Sequence, residues 1–320
     1  MRFSPMIAIP LAAATFLALA ACTTGDEASS GAAGAGGGGK VEKVGLMLQD
    51  ISNPFFAAMQ TRMQEEAEAK GFDLNVQDGR QDLGTQNDQI DAMIQQQVDL
   101  ILINAVDSEG IGSAVARAKA AGIVVVAVDV DASGADAAVT TDNVLAGKQS
   151  CEALVDKIGG KGNILVIEGT PTSAPQDRVK GCDEVLKAHP DIKVVARQAG
   201  KNDRASGLDL ATDMLTANKD VVGIFAINDP EALGADLAVQ QAGRTGITIT
   251  GVDASPEAVI ALKDAKSNLW ATPAQDPGGM AVKAFEVGTQ IVQGNPPKDR
   301  VTLLEPKLVT RDTVNDYKGW

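Results

Sequence analysis

The sequence has few of the residues that usually carry catalysis or hold metal ions. Its 320 residues include one histidine, His189, and three cysteines, Cys22, Cys151 and Cys182. This scarcity argues against a zinc site of the usual cysteine and histidine kind and against catalysis led by histidine. Basic residues are also in deficit, since 28 Lys and Arg stand against 42 Asp and Glu for a net charge of −14. Without surplus positive charge for phosphates, we expect no nucleic-acid partner, and we expect no cofactor or metal.

Aromatic residues are scarce too, at 3% of the chain, whereas hydrophobic residues reach 44% and charged residues 22%. These last two fractions are typical of a globular protein and atypical of a disordered one. The length fits two domains.

The first forty residues predict export and a membrane anchor. Arg2 precedes an apolar run over residues 6–21, which is short for a spanning helix and typical of a signal peptide. The run ends in Leu-Ala-Ala-Cys at 19–22, which resembles the bacterial lipobox, so residues 1–22 are predicted to be a lipoprotein signal peptide with Cys22 as the lipidated residue. An ordinary signal peptide is the alternative. Residues 23–40, rich in Gly and Ala, are predicted to be a flexible tether. We therefore expect a periplasmic or cell-surface protein, anchored to a membrane by lipid.

Export would place the remaining cysteines in an oxidising compartment. Cys151 and Cys182 each lie in a helix-like stretch, and we expect a structural disulfide between them. Two buried free thiols are the alternative.

From residue 41 onward, short β-branched runs alternate with amphipathic stretches. The predicted strands are 44–48, 74–76, 100–103, 123–128, 164–167, 194–196, 222–227, 247–252 and 269–272. Several are apolar throughout, as in a parallel sheet covered by helices on both faces. The alternation predicts βαβ units and a doubly wound α/β sheet.

One pattern occurs twice in this part of the chain. Residues 98–129 and 221–253 share the order strand, asparagine, turn, helix, Ala-Gly, strand, aspartate. The two copies are 124 residues apart, which is too long for a solenoid repeat. The repetition indicates two similar α/β lobes, and coincidence between two ordinary βαβ units is the alternative.

Polar residues follow the apolar strands. Gln49, Asp129, Asn228 and Asp253 each come at or just beyond such a run. Ligands of open α/β sheets bind beyond the carboxyl ends of the strands. Any one of these residues could instead be a helix N-cap, but the set together predicts a binding site.

Five motifs in combination resemble the periplasmic sugar-binding proteins of the ribose-binding type, the solute receptors of ATP-driven importers. The motifs are Ser-Asn-Pro-Phe-Phe at 52–56, Thr-Asp-Asn-Val-Leu-Ala-Gly-Lys at 141–148, Ala-Ile-Asn-Asp-Pro-Glu-Ala-Leu-Gly-Ala at 226–235, Gly-Val-Asp-Ala-Ser-Pro at 251–256 and Ala-Thr-Pro-Ala-Gln at 271–275. The resemblance implies a type I periplasmic-binding-protein fold, with two doubly wound parallel-sheet lobes joined by a three-segment hinge. We expect an N-terminal lobe of 41–141 plus 276–306 and a C-terminal lobe of 142–275 plus 307–320. The resemblance also implies a monomer that delivers a small neutral sugar or polyol to an ABC transporter permease.

The resemblance and the strand ends predict ten ligand-binding residues, namely Gln49, Asn53, Phe55, Phe56, Asp129, Arg178, Asn202, Asn228, Asp253 and Gln275. Amides donate and accept hydrogen bonds, as hydroxyl groups do, and aspartates accept strong ones. Arg178 can donate a fork of hydrogen bonds and balance the carboxylates. Phe55 and Phe56 can lie against the C–H face of a sugar, although packing of the first helix is the alternative, above all for Phe55.

Three departures from the ribose-binding pattern bear on the ligand. Val130 stands where an arginine is common, Asn202 where a second stacking aromatic is common, and Gln49 where a small serine is common. A flat ring held between two aromatics is therefore disfavoured. We expect an open-chain sugar alcohol or a different monosaccharide, with another small polar solute as the remaining possibility.

Two other classes of function stay open at this point. A receptor that presents its closed form to a chemoreceptor or sensor kinase would use the same site. An exported glycoside hydrolase, with Asp129 and Asp253 as general acid and base, is a remote alternative.

Overall fold

Strands and helices alternate through residues 39–320, the part of the chain that the computed structural model describes. The predicted signal peptide, Cys22 and nearly all of the predicted tether lie outside the described residues. The strands are β1 (Lys43–Leu48), β2 (Asp73–Asp78), β3 (Leu100–Ile103), β4 (Val124–Val128), β5 (Ala137–Thr141), β6 (Gly162–Glu168), β7 (Ile192–Ala199), β8 (Val221–Ala226), β9 (Thr248–Thr250), β10 (Leu269–Ala274), β11 (Val301–Leu304) and β12 (Lys307–Thr310). The helices are α1 (Pro54–Lys70), α2 (Leu83–Gln96), α3 (Gly112–Ala120), α4 (Asn143–Ile158), α5 (Ser173–Lys187), α6 (Arg204–Ala217), α7 (Asp229–Gln241), α8 (Pro256–Lys263) and α9 (Pro277–Val292).

The strands form two six-stranded sheets that share one internal order. The first sheet has the order β11-β5-β4-β3-β1-β2, and the second has the order β12-β10-β9-β8-β6-β7. The paired strands are parallel except β12, which runs antiparallel to β10. β3 and β4 hold the same places in the first sheet as β8 and β9 in the second. The pattern repeated in the sequence therefore corresponds to equivalent parts of two similar lobes.

Helices cover both faces of each sheet, which explains why β3 and β4 are apolar throughout. In the first lobe, α1 and α9 pack on one face around Met59 and Phe285, and α2 and α3 pack on the other around Met93. In the second lobe, α6, α7 and α8 cover one face, and α4 and α5 cover the other around Phe225.

The chain crosses between the lobes three times. The crossings lie between β5 and α4, between β10 and α9, and between β11 and β12. The predicted fold class, two α/β lobes built on parallel sheets and joined by a three-segment hinge, is confirmed.

α4 and α5 lie unusually close together in the second lobe. A disulfide joins Cys151 to Cys182, with 5.0 Å between their Cα atoms. A side chain at Gly147 would overlap the carbonyl oxygen of Arg178, and a side chain at Gly181 would overlap that of Val144. Arg178 belongs to the predicted site, so the contact between these two helices sets where its side chain begins.

Candidate functional site

All ten side chains selected by the sequence analysis line one cavity between the lobes. The cavity comprises about 380 Å³ of space between protein atoms, part of it open to solvent, and lies beyond the carboxyl ends of both sheets. Gln49, Asn53, Phe55, Phe56, Asp129, Arg178, Asn202, Asn228, Asp253 and Gln275 share its lining with Val130, Thr172, Ala174, Pro175 and Ile227. The structure brings the predicted residues together, and their binding of a ligand stays a prediction.

The first lobe contributes five of the ten residues. Gln49 directly follows β1 and Asp129 directly follows β4, with β3 between these strands in the sheet. The side chain of Asn53 caps α1 by accepting a hydrogen bond from the Phe55 N–H at 3.0 Å. Phe55 and Phe56 therefore lie in the first turn of that helix, beside the strand ends.

The second lobe contributes the other five residues. Gln275 directly follows β10, and Asp253 lies three residues beyond β9. Asn228 caps α7, Asn202 lies just before α6, and Arg178 lies within α5. The hinge thus places two sets of strand ends and helix starts on opposite walls of one cavity.

The backbone is strained at three of these residues. The φ angle is +68° at Asp129, +130° at Asp253 and +61° at Asn202. At Asp129 the chain makes a three-residue turn, closed by a 2.9 Å hydrogen bond from the Val130 N–H to the Val128 carbonyl. Such conformations cost about 1–3 kcal/mol each and persist only where surrounding contacts hold them. Here they direct polar side chains into the cavity.

Asn104 supplies such contacts, although the sequence analysis placed it only in the repeated pattern. The residue is fully buried. Its Oδ1 accepts from the Gln49 N–H at 3.2 Å, and its Nδ2 donates to Asp129 Oδ2 at 3.0 Å and to the Val128 carbonyl at 3.1 Å. Its position after β3, between β1 and β4, was the available signal for this supporting role.

Arg178 organises the second wall of the cavity. Its Nε donates to Asn143 Oδ1 at 2.8 Å, and its Nη1 donates to the Ile227 carbonyl at 2.9 Å. The same Nη1 lies 3.5 Å from Asp253 Oδ1, which also accepts from Gln275 Nε2 at 2.7 Å. Nη2 takes part in none of these bonds, so it is the part of the guanidinium that can donate to a ligand.

Burial raises the pKa of each cavity aspartate to about 6. For Asp129, loss of hydration is the largest cause and raises the pKa. The positive charge of Arg178 lowers it, the negative charge of Asp253 raises it, and the hydrogen bond from Asn104 lowers it. For Asp253, loss of hydration again dominates, and Arg178 and the Gln275 hydrogen bond lower the pKa. At neutral pH both groups are mostly ionised, and ionised carboxylates accept the stronger hydrogen bonds.

Two buried oxygen atoms of the cavity have no hydrogen-bond donor within residues 39–320. They are Asp129 Oδ1 and Gln275 Oε1. The orientation of the Gln275 amide follows from its Nε2, which must face the Asp253 carboxylate. A buried acceptor without a donor costs about 1–3 kcal/mol. A ligand with O–H groups at both positions would remove that cost.

Aromatic surface is present on one side of the cavity only. The rings of Phe55 and Phe56 meet edge to face, with centroids 5.5 Å apart at 87°, and within the described chain no other aromatic residue lines this cavity. Asn202 bonds instead to Thr170, accepting from its N–H at 3.1 Å and donating to its Oγ1 at 2.8 Å. A ligand therefore meets aromatic carbon on one side and polar groups on the other.

Helix capping explains two of the predicted residues in part and does not explain the aspartates. Asn53 caps α1, and Asn228 caps α7 by accepting from the Glu231 N–H at 3.0 Å. Both nevertheless line the cavity. Asp129 and Asp253 follow strands and cap none of the helices in residues 39–320.

Two further buried carboxyl groups lie behind the second wall, and the sequence analysis did not select them. Asp229 accepts from Thr272 Oγ1 at 2.6 Å and from the Ser255 N–H at 2.7 Å. Glu231 accepts from the Asn202 N–H at 3.0 Å. Burial raises the pKa of both acids. They tie together the loops that carry the site, and their place in the first turn of α7, directly after a cavity residue, was the available signal.

Direct hydrogen bonds between the lobes show that the cavity is closed. The Asp131 N–H donates to Ser173 Oγ at 2.7 Å, and the Ser173 N–H donates to Ser108 Oγ at 3.2 Å. Elsewhere, Gln81 Nε2 donates to the Lys201 carbonyl at 3.4 Å. A ligand inside would be enclosed by both lobes.

Residues 44–296 match the periplasmic binding protein domain. The match covers well over half of the chain. The chain belongs to the periplasmic binding protein family.

Individual relatives refine this assignment. The chain is 33% identical over 256 residues to the ribose import binding protein RbsB of Salmonella typhimurium, covering 79% of this chain and 86% of that protein. It is 31% identical over 312 residues to the xylitol-binding protein of Mycolicibacterium smegmatis, covering 96% and 86%. An ABC transporter solute binding protein from Mycobacterium smegmatis, solved with bound glycerol, matches with a TM-score of 0.83 at 29% identity, covering 88% of this chain and 98% of that chain. The predicted resemblance to the ribose-binding type is confirmed.

Family membership decides two of the questions left open by the sequence. The family and its characterised relatives bind solutes without converting them, so the glycoside hydrolase alternative is wrong. Membership also implies a location outside the cytoplasm. Among residues 39–320, no helix is both long and apolar enough to cross a bilayer.

Proposed function

We propose that this protein captures a small neutral molecule with many hydroxyl groups, a sugar alcohol or a monosaccharide, and delivers it to the permease of an ABC importer. Two buried acceptors, Asp129 Oδ1 and Gln275 Oε1, have no donor in the described part of the chain, and they carry this proposal. Hydroxyl groups can donate to both atoms and still accept from the free Nη2 of Arg178.

The charges of the cavity favour a neutral ligand. Arg178 is the one cationic side chain in the lining as described, and it faces two aspartates. Its Nη1 is already engaged with Asp253 at 3.5 Å. An anionic ligand such as a sugar phosphate would bring negative charge beside two buried carboxylates. This repulsion is unfavourable because little water is present in the cavity to screen it.

The one-sided aromatic surface favours a polyol over a flat ring held between two faces. Phe55 and Phe56 offer apolar contact to carbon atoms, while Asn202 offers an amide where a second ring would be needed for stacking. Xylitol and glycerol, which appear in the names of two similar proteins, are polyols. They support the same ligand class for this chain.

The proposal includes a lipid anchor in the membrane and docking on the permease. Cys22 would carry the lipid, residues 23–40 would tether the two lobes, and the closed monomer would dock on the permease. Lipid on Cys22 is testable by mass spectrometry of the membrane-extracted protein, in which Cys22→Ala should abolish both the added acyl mass and membrane retention.

A thermal-shift panel tests the ligand class. Xylitol, glycerol, D-ribose, myo-inositol and ribose 5-phosphate would be added to the purified protein at increasing concentration. A ligand at 100 times its dissociation constant stabilises a protein by about 2.7 kcal/mol, so at least one polyol or sugar should raise the melting temperature by several degrees. Ribose 5-phosphate should not. A panel without any response from the neutral compounds would contradict the proposal.

Variants locate the response in the cavity. Asp129→Ala and Asp253→Ala should each abolish the shift while the ligand-free protein remains folded by circular dichroism, and Asp129→Asn provides a version of closely similar shape. Asp131→Ala is the matched control, because Asp131 lies two residues beyond Asp129 but pairs with Arg300 outside the cavity lining. A full response in both cavity variants would place the binding site elsewhere.

A further inference from the structure

The segment after β12 makes contact with both lobes. We call residues 311–320 the bridging segment. Val314 is buried in the core of the second lobe, and Tyr317 packs against the same core, where burial, aided by nearby carboxylates, raises its pKa to about 12. Trp320 packs against the core of the first lobe. The segment therefore forms a noncovalent link between the lobes, in addition to the three covalent crossings.

Trp320 touches two residues of the ligand cavity from outside it. Its Nε1 donates a 2.8 Å hydrogen bond to the carbonyl oxygen of Asp253, in the second lobe. Its ring meets the ring of Phe55, in the first lobe, edge to face, with centroids 6.0 Å apart at 86°. A single side chain thus contacts one site residue on each wall.

Trp320 also lines the space next to the ligand cavity. This space, about 790 Å³ with part of it open to solvent, shares Asn53, Phe55, Asn202 and Asp253 with the ligand cavity. These four residues separate the two spaces, and Trp320 stands on their outer side. Separation of the lobes would have to break either the Phe55 contact or the Asp253 hydrogen bond.

We propose that Trp320 is a positioning residue that latches the closed lobes, by holding Phe55 and Asp253 in place together, and so slows release of the ligand. This rests on the proposed function, since the latch acts on whatever the cavity holds. The Asp253 contact matters because that residue has a φ of +130°, a conformation that outside contacts must maintain. Contacts made in the closed state and lost on opening act on the dissociation rate more than on the association rate.

Release of radiolabelled xylitol, followed by a filter-binding chase with unlabelled xylitol, measures the latch directly. If xylitol does not bind, the best neutral compound of the thermal-shift panel replaces it. In Trp320→Ala the dissociation rate should rise about fivefold, the effect of the one contact that opening must break, while the association rate changes less than about twofold. Trp320→Phe keeps an aromatic ring and lacks the N–H, so its dissociation rate should lie between those of the wild type and Trp320→Ala.

Trp270 is the matched control. Lys157 Nζ lies 3.5 Å from the centroid of its ring, and Trp270 lines neither of the two cavities. Trp270→Phe should release xylitol at the wild-type rate. It also leaves Trp320 as the single tryptophan, whose fluorescence emission should shift to shorter wavelength when ligand closes the lobes around it.

The outcomes separate the latch from the proposed function. If the wild type binds its ligand and Trp320→Ala releases it at the wild-type rate, the latch is wrong and the proposed function stands. If the wild type binds no neutral compound, both fail. If Trp320→Ala does not fold, the test uses the dissociation rate of Trp320→Phe and the fluorescence emission of Trp270→Phe. A wild-type dissociation rate in Trp320→Phe, together with no emission change of Trp270→Phe on ligand binding, overturns the latch.

Discussion

Asp129 and Asp253 approach one cavity from different lobes, and each is buried in the closed state. In this state loss of hydration raises the pKa of each carboxyl group to about 6. Closing over an empty cavity therefore costs hydration energy at two charged groups. A ligand with O–H groups replaces the hydrogen bonds that the carboxylates made to water. Closure is therefore more favourable when the ligand is present.

The same two residues predict how affinity depends on pH. A hydroxyl donor binds more strongly to an ionised carboxylate, and the pKa of both groups is about 6. Lowering the pH from 7 to 5 should therefore weaken xylitol binding by about tenfold for each carboxylate that must be ionised. Isothermal titration should also detect protons released on binding near pH 6, and almost none at pH 8.

The stability of the ligand-free protein should change in the opposite sense. A pKa raised in the folded state means that the native protein holds extra protons between about pH 4 and pH 6. The contribution of Asp129 and Asp253 to the free energy of unfolding should therefore fall as pH rises through that window. Asp129→Asn should remove one of the two contributions.

An affinity that is constant from pH 5 to pH 8 would show that neither carboxylate must ionise for binding.

For individual residues, the sequence could predict those that line the cavity and could not predict those that support them. Asp129 and Asn228 were accessible because they follow apolar strands at equivalent positions. Asn104 occupies the position equivalent to Asn228, yet it is fully buried and bonds to Gln49 and Asp129. Whether such an amide faces a ligand or another side chain depends on loop conformation, which the strand pattern does not contain.

Among the elements, α4 and α5 decide where Arg178 stands. Gly147 of α4 lies directly against the backbone carbonyl of Arg178. The disulfide between Cys151 and Cys182 fixes the two helices one turn further along. Close helix contact of this kind leaves no room for a Cβ, so the glycine is needed for space.

Gly147→Ala should therefore damage stability and binding together. The added methyl group would push α5 away, and overpacking of this kind costs about 1–3 kcal/mol in the free energy of unfolding. Because the displaced atom belongs to Arg178 itself, xylitol affinity should fall as well. Urea denaturation and titration calorimetry measure the two effects.

Gly84→Ala is the control for this element. Gly84 is exposed in α2, and its added Cβ would meet only Asp82 Oδ1, at 3.2 Å. Alanine favours helix over glycine by about 1 kcal/mol, so this variant should be as stable as the wild type or more stable, with unchanged affinity. Equal behaviour of the Gly147 and Gly84 variants would contradict the packing argument.

The strands also divide into predictable and unpredictable ones. All nine predicted strands are present, with ends that differ by no more than three residues from the structure. β5, β11 and β12 were not predicted. β5 is built from small and threonine residues, Ala-Ala-Val-Thr-Thr, and β11 is half-exposed at the edge of its sheet. β11 and β12 follow hinge crossings and pair at the edges of their sheets, which is a tertiary cause that the local sequence does not show.

For the whole molecule, the two-lobed design turns binding into a change of shape. Each lobe has its own sheet and its own cores, and among the residues that the structure describes only Ala174 and Trp320 of the second lobe pack against the cores of the first, so the lobes can separate while most internal packing is kept. The described state is the closed one, held in part by a few polar contacts at the edge of the cleft. Contacts of this number bias an equilibrium between open and closed forms without fixing it.

Ser108 and Ser173 provide the means to shift that equilibrium without touching the cavity. Their hydroxyl oxygens accept hydrogen bonds across the cleft, from the N–H groups of Ser173 and Asp131 respectively. Neither serine lines the ligand cavity. The double variant Ser108→Ala/Ser173→Ala should lose two contacts, each worth about 0.5–1.5 kcal/mol, that exist only in the closed form.

Xylitol, or the best neutral ligand of the panel, should reduce the radius of gyration of the wild type in small-angle X-ray scattering. The double variant should need about 5- to 150-fold more ligand to reach the same compact form, because the ligand must now supply the lost closing energy. At saturation the two proteins should scatter alike, since the cavity is unchanged. A wild-type radius of gyration that stays constant at saturating ligand would mean that binding does not close the lobes, and an unshifted midpoint in the double variant would mean that these contacts do not hold them closed.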